Sequence, residues 1–275
     1  MTSEVSPNQV HPLKDKFTTL TKKIIAPAIY ASSSVVLSGA NLITGILVIR
    51  WIQPEQLGVW HSVRLAITYS FFLLAGINNG LGRELPYALG CANEKKAKGL
   101  ASTALYFNIV GCCIALFAGL MVTIIFRNKP HVLLFSIIAV SILIVCSFYR
   151  NYLIVTFRSH DAFKRLGNMQ FLEASLLLAT VPLVYFFNFG GLLFRLCLLS
   201  IIMLIAIHPI RPVKVRPIFQ TDSFKLLAKT GFPIFALDYI VTTAGTCDRL
   251  ALLHAGGPIL VGYYALSSIA NEERA

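Results

Sequence analysis

Charge is what this chain has least of. Only 13% of its 275 residues are Asp, Glu, Lys or Arg, and the acids number 12 against 24 bases. Soluble domains carry about 25% charged residues, so a water-exposed globular surface is excluded for most of the chain. Motifs of metal and nucleotide chemistry are missing as well. No GxxxxGK loop is present to cradle phosphates, which excludes ATP hydrolysis by this chain as a driving force, and no HExxH pair is present to hold zinc. The six cysteines, Cys91, Cys112, Cys113, Cys146, Cys197 and Cys247, are scattered without a CxxC or a neighbouring His spacing. They read as small packing residues. No metal site, no resident cofactor and no catalytic group is expected; the chain reads as a transporter and not an enzyme.

What is abundant is apolar length. Hydrophobic residues make up 56% of the chain, and the mean hydropathy is +0.71. A bilayer core of about 30 Å takes roughly 20 helical residues. Six complete runs of that order appear, at Ile24–Ile49, Leu57–Ile77, Leu100–Phe126, Val132–Phe157, Met169–Phe187 and Leu192–Ile207. A seventh runs from Gly231 to Cys247, and an eighth begins near Ile259. The runs are continuous, whereas barrel strands are about ten residues of alternating polarity, so helices are expected.

The bases are not spread evenly. Lys14, Lys16, Lys22 and Lys23 precede the first run; Arg83, Lys95, Lys96 and Lys98 follow the second; Arg158, Lys164 and Arg165 follow the fourth. Arg211, Lys214, Arg216, Lys225 and Lys229 follow the sixth, while the alternate loops hold little beyond Arg50, Arg127 and Lys129. That asymmetry puts the N-terminus in the cytoplasm of a multi-pass protein of the bacterial inner membrane. It also accounts for the net charge of +12 without nucleic acid, since the bases form no continuous surface. A polar tail of more than twenty residues before the first run argues against a cleaved signal peptide.

A repeat is visible. Pro27 and Pro233 each precede a helix-length segment, a short loop and then Leu57-Gly58-Val59-Trp60 or Val261-Gly262-Tyr263-Tyr264. An even number of crossings separates the copies, which makes the repeat parallel, of the kind found in secondary transporters. The expected organisation is a cytoplasmic tail over 1–23, a six-helix lobe over 24–208, a basic cytoplasmic linker over 209–228, and the start of a second lobe over 229–275. The segment from Ile259 to Ala270 is about half the length of a crossing. The second lobe is therefore expected to be incomplete.

These stretches, with Gly76-Ile77-Asn78-Asn79-Gly80-Leu81-Gly82-Arg83-Glu84-Leu85-Pro86-Tyr87-Ala88-Leu89-Gly90, Gly231-Phe232-Pro233 and Asp248-Arg249, resemble the polysaccharide biosynthesis (Wzx-type, O-antigen) flippases of the multidrug/oligosaccharidyl-lipid/polysaccharide exporter superfamily. The resemblance implies an all-α, MATE-like membrane fold with two six-helix lobes around a central cavity, the second truncated here. It implies translocation of undecaprenyl-pyrophosphate-linked oligosaccharide to the outer leaflet for surface polysaccharide or lipopolysaccharide assembly. The partners it implies are that lipid-linked substrate, membrane lipids, a polysaccharide polymerase and glycosyltransferases. Two other readings stay open: a MATE-like multidrug exporter, which would line its cavity with acids, and an inactive or scaffolding fragment.

The polar residues inside the apolar runs are the candidate site. Ser34, Ser38, Asn41 and Gly45 share one helical face, and His61, Arg64, Thr68 and Asn79 fall close to one stripe. Polar faces in lipid turn toward a cavity or a neighbouring helix. Arg64, Arg150 and Arg195 lie within their runs. A guanidinium suits a pyrophosphate because its planar fork pairs with phosphate oxygens and stays charged, although each side chain is long enough to snorkel to the interface. Arg64, Arg150, Arg195, His61, Asn41 and Ser38 are thus the substrate-binding candidates. Asp238 and Glu173 are the carboxylates within runs and the candidates for coupling to H⁺ or Na⁺, the alternative being pairing with a nearby Arg. Arg249 reads as the ion-pair partner of Asp248, and Glu84 as that of Arg83. Gly111, Ala115 and Gly119 form a small-residue packing series.

Overall fold

In the computed structural model the backbone is described for residues 10–128 and 131–272, and side chains for 25–128, 133–257, 260–262 and 264. The side chains of Lys14, Lys16, Lys22 and Lys23, and Lys129 altogether, lie outside the described residues. The described secondary structure is helical: α1 Val10–Trp51, α2 Pro54–Ser70, a 3-10 turn Phe71–Leu74, α3 Ile77–Gly90, α4 Glu94–Ile125, α5 His131–Ser159, α6 Phe163–Ala179, α7 Pro182–Ile207, α8 Thr221–Ala244 and α9 Cys247–Glu272. Among the described residues, five stretches are long and apolar enough to cross a membrane, Ile25–Trp51, Pro54–Leu74, Glu94–Ile125, Leu133–Ser159 and Pro182–Ile207. The protein is an all-α membrane protein.

The helix ends follow local chemistry. Pro54 and Pro182 start their helices, where a missing N–H costs nothing. Asn93 caps α4 by accepting the Lys96 N–H at 3.0 Å.

Four boundaries differ from those read in the sequence. Helix α1 is already formed at Val10, inside the expected 1–23 tail, because its polar start continues the helical register. The second run does not stop at Ile77: Ala75 (φ 43°) and Gly76 (φ 78°) take left-handed conformations that break α2 from α3, and α3 carries the chain to Gly90. The fifth run, Met169–Phe187, is divided. Helix α6 closes at Ala179, and Pro182–Phe187 belongs to α7, which bends at Asn188. Hydropathy did not reveal the division of the fifth run because both sides of it are apolar. In the last segment α8 starts at Thr221, ahead of Gly231, and α9 starts at Cys247 and breaks at Gly257 (φ 68°).

Two cores hold the bundle. One unites Leu81, Leu85, Leu100, Leu153 and Phe157 with Leu227 of α8. The other, at the end where α1 passes to α2, unites Ile52, Leu57, Ala139, Val184 and Leu193. Meanwhile Val35, Phe117, Ile125, Phe186, Ile205 and Ile240 stand exposed, which in a bilayer is contact with lipid rather than water. Helix α1 packs along α6, α4 against α5, α3 against α8 and α2 against α9. The Gly111 series does pack: a Cβ on Gly111 would meet Leu74 at 2.9 Å, and one on Gly119 would meet Ser141 Oγ at 2.0 Å.

Candidate functional site

Elements α2–α3 and α8–α9 meet along a seam, here termed the cleft, that is fixed by glycine contacts at two levels. A Cβ on Gly231 would stand 2.1 Å from the Gly76 carbonyl oxygen and 2.7 Å from the Gly80 nitrogen. Only glycine allows α3 and α8 to meet backbone to backbone there. Thr230 donates to Glu84 at 3.0 Å on the same seam, so Glu84 joins α8 rather than forming the expected pair with Arg83. Further along, Tyr69 and Thr246 share a hydrogen bond of 2.6 Å. Near the α1–α2 end, a Cβ on Gly262 would stand 2.0 Å from the Pro54 carbonyl oxygen and 3.2 Å from the Gly58 nitrogen. Gly58 lies four residues after the Pro54 that opens α2, and Gly262 lies four after Pro258, which follows the break at Gly257.

Between these contacts lie His61 and Arg64 of α2, with Arg249 of α9 within electrostatic reach of both. Arg64 is exposed, and His61 and Arg249 are half-buried. The described ion pairs are Lys98–Glu94 and Arg150–Glu173, so neither Arg64 nor Arg249 has a described carboxylate at salt-bridge distance. Arg249, read in the sequence as the ion-pair partner of Asp248, acts on it electrostatically and through its backbone N–H without a described salt bridge. The Asp248 carboxylate accepts the Tyr264 hydroxyl and the backbone N–H of Arg249. Arg64 of α2 and Arg249 of α9 are thus like charges within electrostatic reach of each other, a repulsion that a shared anion would relieve.

The other candidates separate. Arg150 forms a forked pair with Glu173, Nη1 to Oε1 at 2.8 Å and Nη2 to Oε2 at 2.5 Å. Arg195, 1% exposed, donates from Nε to Thr180 Oγ1 at 2.9 Å and from Nη2 to the Leu177 carbonyl at 2.6 Å. It holds the last carbonyls of α6, where a cation also meets the negative end of the helix dipole. Asp238 is exposed at the cleft and accepts from Asn79 Nδ2 at 2.9 Å.

On α1 the polar face is split. Ser34 donates to Gln170 of α6 at 3.1 Å beside Ser33 at 2.6 Å, whereas Ser38 is exposed and Asn41, also exposed, donates to its own helix at Leu37. Ser38 and Asn41 are thus not brought to Arg64 by any described contact. Among the described residues no group of His, Cys, Asp or Glu is disposed to hold a metal ion.

Sequence reasoning missed Arg249 as a partner of Arg64. No local pattern announces it, since Asp248 and Tyr264 meet only through the reversal at Gly257.

No protein-family model and no curated protein sequence matches the chain. Among solved structures it is similar to a MOP superfamily transporter from Pyrococcus furiosus, with a TM-score of 0.64 at 17% identity; that protein is described as having a binding pocket of reversed polarity, suggesting a different function. The likeness covers 90% of this chain and 60% of that one, so the chain spans less than two thirds of its structural neighbour. At this identity the likeness establishes fold: the chain folds as an all-α membrane protein in the manner of a MOP superfamily transporter.

Proposed function

We propose that this chain belongs to a transporter that flips undecaprenyl-pyrophosphate-linked oligosaccharide from the cytoplasmic to the outer leaflet for surface polysaccharide or O-antigen assembly, by ion-coupled alternating access. The observation that carries this reading is the sorting of the intramembrane arginines. Arg150 is neutralised by Glu173 and Arg195 serves the end of α6, which leaves Arg64, joined by Arg249, without a described carboxylate partner. A pair of guanidiniums on two facing elements suits a pyrophosphate, whose oxygens accept from both while the prenyl chain stays in lipid. Asp238 is the remaining candidate for the coupling ion, because Glu173 is already paired. In this reading the basic loops lie in the cytoplasm of the inner membrane, and the stretch after the 209–228 linker opens a second, parallel lobe.

A multidrug exporter is the competing reading, since the Pyrococcus protein's description indicates that pocket polarity differs among transporters of this fold. Here Arg64 and Arg249 stand against Asp238, while Glu84 is engaged by Thr230 and Asp248 by Tyr264, which disfavours a cationic drug.

The test is photolabelling of the protein in nanodiscs with undecaprenyl-pyrophosphate-linked oligosaccharide carrying a diazirine. Labelling that falls roughly tenfold or more in both Arg64→Ala and Arg249→Ala, and holds in Arg150→Ala, supports the reading. Equal labelling in all variants, or competition by cationic drugs instead of pyrophosphate, overturns it.

A further inference from the structure

A cavity away from the cleft is formed by the bend in α7. Pro182–Phe187 makes a short arm, and the chain turns at Asn188 with φ 50° and ψ −132°. A left-handed conformation is disfavoured for a residue with a Cβ, although Asn tolerates it better than most. The arm then folds back on the helix so closely that a Cβ on Gly191 would stand 2.1 Å from the Leu183 carbonyl oxygen. Its aromatics Tyr185, Phe186 and Phe187 are 59%, 72% and 66% exposed, and Tyr185 meets Trp51 edge-on at 5.3 Å. Tyr and Trp at the end of a spanning helix are the side chains that settle at a membrane–water boundary.

Beside the arm, between α5 and α7, lies a cavity of about 620 Å³. Drug-sized ligands occupy pockets of about 300–1,000 Å³. Its floor is the buried Ala139, Phe189 and Leu193, and its rims are the exposed Phe135, Phe187 and Phe194. Gln56, Asn188 and the Cys197 thiol are its polar lining, and among the described residues no charged side chain lines it. Water inside would find partners only at those residues, and an ionic solute would find no counter-charge.

We propose that this groove holds one acyl chain of a bilayer phospholipid, with the headgroup end at Gln56, Asn188 and the aromatic arm. The occupant follows from the surroundings. The groove opens sideways between two stretches that cross the membrane, Leu133–Ser159 and Pro182–Ile207, so hydrocarbon meets it first. Its wall is mostly apolar, and its polar members Gln56 and Asn188 stand near the start of α2 and at the bend of α7. The site is separate from Arg64 and Arg249 and does not depend on what the cleft transports.

Gly190 gives a clean test. It lines the groove, and a Cβ there meets nothing within 4 Å, so Gly190→Leu starts its side chain in open space and occupies the groove. Gly45 on α1 is equally open, and Gly45→Leu adds the same bulk elsewhere. Ile138→Trp, at an exposed lining position, is a second filling variant should the first misfold. The protein is purified in mild detergent and retained lipid is counted by native mass spectrometry, then identified after extraction. Wild type and Gly45→Leu are expected to keep a phospholipid that the filling variants lose by roughly tenfold. No lipid on the wild type, equal retention in the filling variants, or release of an isoprenoid lipid in place of a phospholipid overturns the proposal.

Discussion

Arg150 and Glu173 hold each other fork to fork across α5 and α6, at 2.8 and 2.5 Å. The pair stands in the wall of a small cavity that also touches Tyr30, Gln170 and Met203, inside the first lobe rather than at the cleft. Two residues with the composition of a substrate clamp and an ion-coupling acid are thereby spent on each other.

Breaking that pair is expected to weaken the fold and leave ligand binding intact. The side chains are 34% and 16% exposed, between a surface pair and a buried one. Glu173→Gln should therefore cost about 2 kcal/mol, more than an exposed pair and less than a fully buried one. Thermal unfolding in detergent measures this. A loss of photolabelling by the lipid-linked substrate at unchanged stability would return Arg150 to the site.

Arg195→Met should destabilise without touching the cleft. It leaves the Leu177 carbonyl without its guanidinium, at a cost of about 1–3 kcal/mol, while the Thr180 hydroxyl keeps its bond to the Leu176 carbonyl. The same unfolding assay reads it, and a variant as stable as wild type would contradict the assigned role.

Gly231→Ala is expected to force α8 from α3, because the added methyl meets the Gly76 carbonyl oxygen at 2.1 Å. Gly90→Ala, with nothing within 4 Å of its Cβ, is the control and should be silent. Disulfide formation between Asn79→Cys and Asp238→Cys reports the seam. Crosslinking at the wild-type rate in the Gly231→Ala background would show that the seam tolerates the methyl.

Arg249→Glu should pair with Arg64 and close the cleft to anions, whereas Arg249→Lys should keep binding. With opposite charges in place of like ones, binding of inorganic pyrophosphate is expected to fall by roughly tenfold or more. Isothermal titration distinguishes the two variants. Equal affinity in both would remove Arg249 from the site.

The breaks in the helices mark the limit of what a sequence shows. The break at Asn188 lies inside apolar text, and hydropathy is blind to it. Turn chemistry offered a hint at Gly76 and at the Thr180-Val181-Pro182 step, where a proline favours the start of a new helix. Nothing local foretold that Glu84 would join Thr230 instead of Arg83.

Class and membrane residence were decided by the sequence alone. A bilayer selects for length, apolarity and the absence of charge, which are properties of contiguous residues and can be read one run at a time. Which polar residues remain for function was decided only by the tertiary structure. Pairing depends on partners distant in the chain: Arg150 finds Glu173 on the neighbouring helix and Asn79 finds Asp238 far along the sequence, whereas Arg64 meets another cation. An ionic group in a medium of low dielectric is governed by its nearest neighbours, and those neighbours exist only once the helices have packed.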